Sequence, residues 1–186
     1  MAACQHSRLT ALFALGLLGT LGCGGAKPPA KEASAPPYTP EAAVLFDDVL
    51  APAVFGFDPE GRDPARDPKL HERVRQADFV VPARVETVSR IGGVEHKGSY
   101  EVTLVARGQP LAGATGGTSF VLDIPATSPS YAWVDGAGPR WVGSRLLLFG
   151  RSYHDGGITR LHFRGEPDTP AIRAAIERDA GLRLLR

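Results

Sequence analysis

Apolar and polar residues alternate along much of the second half of the chain, beginning after Asp78. In the segment 79–88 the apolar side chains of one face are Val81, Ala83 and Val85. A period of two is typical of a strand with one buried face. Pro82 lies within this segment, and because proline lacks a ladder donor it favours an edge position or a bulge. The same alternation predicts two further strands, at 100–107 and 120–124.

A hairpin is predicted near the C-terminal third of the chain. The segment 145–153 carries a continuous apolar run, and Asp155-Gly156-Gly157 follows it before the second apolar segment, 158–163. An Asp-Gly pair adopts the positive φ angles that tight hairpin turns require. We therefore expect 145–153 and 158–163 to pair as antiparallel strands.

Helix-start signals occur in three places. Pro40 favours the start of a short helix. The apolar segment 42–57 is expected to pack on the domain. Asp67 is expected to cap a second helix that begins at Pro68 and ends near Gln76. Near the C-terminus, the predicted helix has three markers: the cap Thr169, the first-turn residue Pro170 and the closing residue Gly181.

The order of the apolar strands resembles a known family. It is carried by Ala77-Asp78-Phe79-Val80-Val81, Ala83-Arg84-Val85, Tyr100-x-Val-x-Leu104 and Gly143-x-x-Leu-Leu-Leu-Phe149. This pattern, over residues 77–163, resembles the small OB-type β-barrels of secreted proteins, including tissue inhibitors of metalloproteinases. The resemblance implies a mainly β (α+β) fold: a small five-stranded, OB-like antiparallel barrel with a short N-terminal helix and a C-terminal helix. Those inhibitors present a disulfide-held N-terminal cysteine to zinc, a feature this chain lacks, so the resemblance does not imply inhibition.

The start of the chain has the organisation of an export signal. Arg8 precedes an uncharged run, 9–21, which is shorter than the roughly 20 apolar residues that span a bilayer. Thr20-Leu21-Gly22-Cys23 resembles the lipobox of bacterial lipoproteins, although that family prefers leucine where this chain has Thr20. The resemblance implies cleavage by signal peptidase II, a diacylglyceryl group on the Cys23 sulfur and an acylated amino group. The alternative is an ordinary secretory signal with a chance cysteine.

These patterns predict four regions. Residues 1–22 are the lipoprotein signal peptide, and 23–40 are the lipidated cysteine and a disordered, Pro-rich tether. Residues 41–76 form the packing segment and short helix, and 77–186 form the barrel domain with its C-terminal helix. The uncharged Gly24 and Gly25 after Cys23 favour the outer membrane over the inner membrane.

Charge and cysteine content argue against nucleic-acid binding and against an internal disulfide. The chain has 21 Lys and Arg against 20 Asp and Glu, and Arg8 alone precedes Cys23, which leaves 20 of each sign after cleavage. This balance gives no footprint for nucleic acid. Cys4 lies in the leader, so the mature chain would hold one cysteine and no internal disulfide.

The histidines do not suggest catalysis or a metal. His71, His96, His154 and His162 have no metal-ligand spacing, and no cofactor or catalytic residue is predicted. His154 stands near the predicted hairpin tip and His162 alternates with apolar neighbours. Both histidines are therefore expected to face solvent.

The residues most typical of a binding surface lie in the excursion 125–143. They are Tyr131, Trp133, Arg140 and Trp141, of the types enriched at interface hot spots. The competing interpretation places both tryptophans in the core. The leading hypothesis is a lipid-anchored envelope protein that binds another envelope protein as an accessory or assembly factor of a motility, secretion or transport complex. The alternative is a periplasmic small-ligand carrier or hydrolase with a pocket near Trp133 and His154, which a buried His154–Asp155 pair would favour.

Overall fold

The computed structural model describes residues 35–57, 63–92 and 98–183. The predicted leader, the predicted lipidation site Cys23, the part of the predicted tether before residue 35, and His96 lie outside these residues. The helices are α1 Pro40–Leu45, α2 Pro68–Gln76, α3 Tyr131–Ala137 and α4 Pro170–Arg183, and the 3₁₀ turns are Pro52–Phe55, Pro64–Arg66 and Gly138–Trp141. The strands are β1 Val49–Leu50, β2 Phe79–Ile91, β3 Ser99–Ala106, β4 Ala112–Gly113, β5 Ser119–Ile124, β6 Arg145–Asp155 and β7 Ile158–Pro167.

The described strands form one mixed sheet in an α+β fold. Its order is β1-β7-β6-β2-β3-β5, and β4 pairs with the start of β2. The β1–β7 pair is parallel and the other pairs are antiparallel. The α+β class agrees with the sequence prediction, but the five-stranded OB-like barrel is wrong. The sheet is open, because its terminal strands β1 and β5 do not pair with each other.

Pro82 lies in a central strand, contrary to the prediction of an edge or a bulge. β2 is flanked by β6 on one side and by β3 and β4 on the other. The Pro82 carbonyl accepts a hydrogen bond from the Arg107 amide at 2.7 Å. The nitrogen of a strand residue faces the same side as its carbonyl, so the proline nitrogen also faces this side. Here Pro82 lies between Val80, the last β2 residue that pairs with β4, and Ala83, the first that pairs with β3. The missing N–H therefore removes no regular ladder bond.

Each face of the sheet has its own apolar core. On the first face Val81, Ala83 and Val85 pack with β3, β5 and the segments around α3, as their alternation predicts. On the second face, Val80, Leu147 and Phe149 pack against α1, α2 and α4. Residues 79–83 of β2 and 146–150 of β6 are thus buried on both sides, and β5 alternates buried and exposed residues.

The predicted helix starts are confirmed. The Ala42 amide donates to Thr39 Oγ1 at 3.3 Å before α1, and the Lys69 amide donates to Asp67 Oδ1 at 2.9 Å before α2. The Ile172 amide donates to Thr169 Oγ1 at 3.3 Å at the start of α4. However, α4 runs through Gly181 to Arg183, so its predicted end is wrong.

The predicted hairpin is confirmed as β6 and β7. Its two-residue turn is Gly156-Gly157, with φ angles of 56° and 88°, and not the expected Asp-Gly pair, because Asp155 pairs with Ile158 in the ladder. These positive angles are those of the mirror-image turns that match strand twist.

The last residues assigned to the tether belong to the folded part. The His154 amide donates to the Pro36 carbonyl at 2.7 Å, and the Tyr38 amide donates to the His154 carbonyl at 3.1 Å. The chain is therefore held against β6 from about residue 36, ahead of α1.

Candidate functional site

An aromatic patch is formed by Phe55, Phe57, Trp133 and Trp141. Phe55 and Phe57 come from the 3₁₀ turn after β1 and the residues that follow it, whereas the tryptophans come from α3 and the next 3₁₀ turn. Phe57 stacks on Trp133 with a centroid distance of 5.2 Å, and Phe55 packs on Trp141 at 4.6 Å. Phe55 also stacks on Trp133 at 6.4 Å, so the four rings form one continuous cluster.

The cluster runs from the core to the surface. Trp141 is 3% exposed and belongs to the first core, whereas Phe57 is 51% exposed. Trp133 lies between them and is half-buried. The core interpretation therefore describes Trp141, and Trp133 together with Phe57 is the part of the patch that another molecule can reach.

A second aromatic contact fixes the orientation of α3. Tyr131, at its first turn, packs on Tyr100 of β3 at 5.3 Å between centroids. The Tyr100 hydroxyl donates to Asp135 Oδ1 at 2.5 Å, and this hydrogen bond raises the pKa of Tyr100. α3 is thus held to the sheet at both of these positions, and Trp133 is presented from a fixed helix.

Arg140 lies at the surface beside α3. Its guanidinium donates to the Gly136 carbonyl at 3.0 Å, and the side chain is exposed. Arginine retains several further N–H donors after one such bond. The four residues singled out in the sequence therefore fall on α3 and the turn after it, but only Trp133, Arg140 and part of Tyr131 are accessible.

His162 is buried, contrary to the prediction that it faces solvent. It is 6% exposed, and its ring stacks on Tyr38 with centroids 3.6 Å apart. Its Nδ1 lies 2.8 Å from Asp48 Oδ2, and Asp48 Oδ1 accepts the Phe163 amide at 2.9 Å. The segment before β1 therefore covers β7, an arrangement that alternation within β7 alone does not reveal.

The Asp48–His162 pair holds the segment before β1 against β7. Asp48 has a φ of 55°, a left-handed conformation uncommon outside glycine. Burial raises the pKa of the Asp48 carboxyl and raises the pKa of Tyr38 to about 12. The second imidazole nitrogen faces Asp155 at 3.9 Å, and within the described residues no hydroxyl or thiol bonds to it, so a catalytic triad is not assembled here.

His154 is exposed, as predicted. It does not form a buried pair with Asp155, whose carboxylate instead faces Arg160 and His162 at 3.9 Å each. The arrangement that would favour a hydrolase at this position is therefore not formed.

A depression of about 410 Å³ lies between α2, β7 and the 3₁₀ turn after β1. Its charged wall contains two buried or half-buried arginines that share one carboxylate: Arg73 and Arg164 donate to Glu166 Oε1 at 3.0 and 3.1 Å. Arg164 also donates to Asp47 Oδ2 at 2.8 Å. These charges are satisfied within the protein, and neither Trp133 nor His154 lines the depression.

In the part of the chain that the structure describes, no group of three or more His, Cys, Asp or Glu side chains could hold a metal ion. None of the helices within the described ranges is both long and apolar enough to span a bilayer. No family model, curated protein or solved structure matches the chain.

Sequence reasoning missed Phe57 as a member of the aromatic patch. It lies within the apolar segment 42–57 and carries no local mark that separates it from its buried neighbours. The stacking on Trp133 joins two parts of the chain that are far apart in sequence.

Proposed function

We propose that the protein is a lipid-anchored envelope lipoprotein whose domain binds another envelope protein through Phe57 and Trp133. The observation that carries the proposal is the stack of these two rings at the surface. Large apolar side chains that are packed against each other yet half-exposed are typical of the anchors of protein interfaces. Arg140 beside α3 supplies a cation of the kind also enriched there.

The rigidity of the patch supports binding rather than incidental exposure. Trp133 stacks on both Phe57 and Phe55, and its helix is fixed by the Tyr100–Asp135 hydrogen bond. Side chains already held in one geometry lose little entropy on association. A partner would therefore gain apolar contact at low conformational cost.

The anchoring part of the proposal comes from the sequence alone. Lipidation of Cys23 through its lipobox-like context would hold the domain at the membrane, with the outer membrane favoured. Several acyl chains at about 0.8 kcal/mol per buried CH₂ give firm attachment. The residues between Cys23 and the folded part would act as the tether.

The carrier or hydrolase alternative has less support. It expects a pocket lined by Trp133 and His154, whereas the depression of about 410 Å³ contains Phe57 but neither of those two residues, and its two arginines are paired with Glu166 and Asp47. A partner-binding accessory factor accounts better for the surface stack.

The proposal is tested by crosslinking and affinity capture from intact envelopes. Three forms are compared with the natural chain: Cys23→Ala, Phe57→Ser/Trp133→Ser, and Val121→Ser. Val121 is 61% exposed on β5 and serves as the matched apolar control. Mass spectrometry of Cys23 peptides tests acylation in the same samples.

We expect one specific protein to be captured by the natural chain and by Val121→Ser, and to be lost with Phe57→Ser/Trp133→Ser. Undiminished capture by Phe57→Ser/Trp133→Ser would overturn the binding surface. An unmodified Cys23 would overturn the anchor, whatever the outcome for the partner.

A further inference from the structure

Four arginines converge at one end of the sheet. Arg84 lies on β2, Arg145 on β6, Arg107 just after β3, and Arg173 on α4. With Pro82, Ala83 and Asp168 they line a depression of about 350 Å³. Arg84, Arg107 and Arg145 are exposed to solvent.

The strand register forces two of these charges together. Arg84 and Arg145 are direct partners in the antiparallel β2–β6 ladder. Like charges at directly opposite positions destabilise a sheet, so this pair has a cost that the fold does not require. The Arg107 amide donates to the Pro82 carbonyl at 2.7 Å, which brings a third arginine to the same place.

The charges are mostly uncompensated. Arg173 is neutralised by Asp168, which its Nη2 contacts at 2.8 Å. Among residues 35–57, 63–92 and 98–183, neither a side-chain hydrogen bond nor an ion pair is formed by Arg84, Arg107 or Arg145. Four arginines and one aspartate leave three positive charges around the depression.

The two arginines of the first depression, Arg73 and Arg164, are paired instead. Both form ion pairs with Glu166, and Arg164 also pairs with Asp47. The chain therefore supplies carboxylates where arginines serve the fold, and it leaves three guanidinium groups without them here. α4 begins at Pro170, so its first turn borders the same depression and adds the positive end of a helix dipole.

We propose that this arginine pocket, defined by Arg84, Arg107, Arg145 and Arg173, binds a phosphate group with net negative charge. Guanidinium groups offer a planar fork of donors that matches phosphate oxygens, and charge-assisted bonds of this type are the strong ones. The phosphate belongs either to the headgroup of an anionic lipid or to a free phosphate ion. The site shares no residue with the aromatic patch, so it can fail without affecting the proposed partner surface.

The test measures thermal denaturation of the purified full-length chain in two settings at constant ionic strength. In detergent, sodium phosphate is compared with sodium chloride. In vesicles, the reconstituted chain is compared in phosphatidylcholine alone and in phosphatidylcholine doped with phosphatidylglycerol. The variant is Arg84→Gln/Arg145→Gln, and the matched control is Arg66→Gln/Arg90→Gln, which removes the same charge elsewhere.

We expect the midpoint to rise by about 2–4 °C in one or both anionic settings for the natural chain and for the control, and to stay unchanged for Arg84→Gln/Arg145→Gln. Without the anion, Arg84→Gln/Arg145→Gln should be at least as stable as the natural chain, because a like-charge pair has been removed. A response to free phosphate identifies the ion as sufficient. A response confined to phosphatidylglycerol identifies the headgroup. The proposal is overturned if neither setting shifts the midpoint, or if both double variants respond equally.

Discussion

The contacts made by the covering helices differ between the two faces of the sheet. On the face covered by α2 and α4, buried or half-buried charges pair across elements, as in the contacts Arg73–Glu166 and His71–Asp179. On the face covered by α3, aromatic rings pack on one another from Trp141 outward to Phe57. The charged groups on the face covered by α2 and α4 are paired within the protein. The aromatic series instead reaches the surface, where the Phe57 ring is half-exposed. The exposed end of the aromatic series is the surface that we propose binds a partner.

The largest effect is expected at the inner end of the aromatic series. Trp141→Ala should lower the free energy of unfolding by about 3–5 kcal/mol, because it removes a large buried side chain and leaves a cavity. Urea denaturation followed by circular dichroism measures this change. Trp141→Phe is the control, and it should cost much less because it keeps the ring contact with Phe55 and deletes an indole N–H without a described partner. Equal losses from both substitutions would contradict a packing role.

The charged face should respond through its shared carboxylate. Glu166→Ala leaves the buried Arg73 without its carboxylate partner, although its Nε still donates to the Leu45 carbonyl, and is expected to cost about 3 kcal/mol. In the double variant Arg73→Met/Glu166→Ala the loss should be well below the sum of the single losses, because no unpaired charge remains. Strict additivity in a double-mutant cycle would show that the pair does not act as a unit.

A smaller and pH-dependent effect is expected where α2 meets α4. His71 Nδ1 lies 2.5 Å from Asp179, and this hydrogen bond raises the pKa of His71, assisted by the Ala65 carbonyl at 3.0 Å. Since the folded-state pKa is raised, the stabilisation is fully present below the ordinary value of 6.5 and is lost as the pH rises through the raised pKa.

His71→Gln should therefore lower the free energy of unfolding by about 1–2 kcal/mol at pH 5 and by less above the raised pKa. Urea titrations of both proteins across this range measure the difference. A constant gap at every pH would mean that protonated His71 contributes nothing specific. Asp179→Asn should show the same pH dependence as His71→Gln.

Much of the fold is predictable because its signals are local. Alternation identifies β2, β3 and β5, the run Asp155-Gly156-Gly157 identifies the β6–β7 turn, and Pro40, Asp67 and Thr169 mark the helix starts. The open sheet depends instead on contacts between distant segments. A two-residue parallel pair, Val49–Leu50 with β7, forms one edge, and neither alternation nor turn chemistry specifies it.

The candidate site divides in the same way. Trp133 and Trp141 could be singled out from residue type, but the sequence does not distinguish the exposed ring from the buried one. Helix α3 itself lies within a stretch rich in glycine, proline and serine, which favours a loop. The contact of Phe57 with Trp133 and the burial of His162 beneath Tyr38 both require the tertiary fold.

The proposed binding surface can be tested by photo-crosslinking in intact cells from a single residue of the aromatic patch. A photoreactive amino acid replaces Phe57 in one form and Val121 in another, since both positions are exposed and apolar. We expect a discrete crosslink to one envelope protein from position 57 that disappears when Trp133 is changed to serine, and none to that protein from position 121. No crosslink from position 57, or the same product from both positions, would contradict the assignment of the aromatic patch as a partner-binding surface.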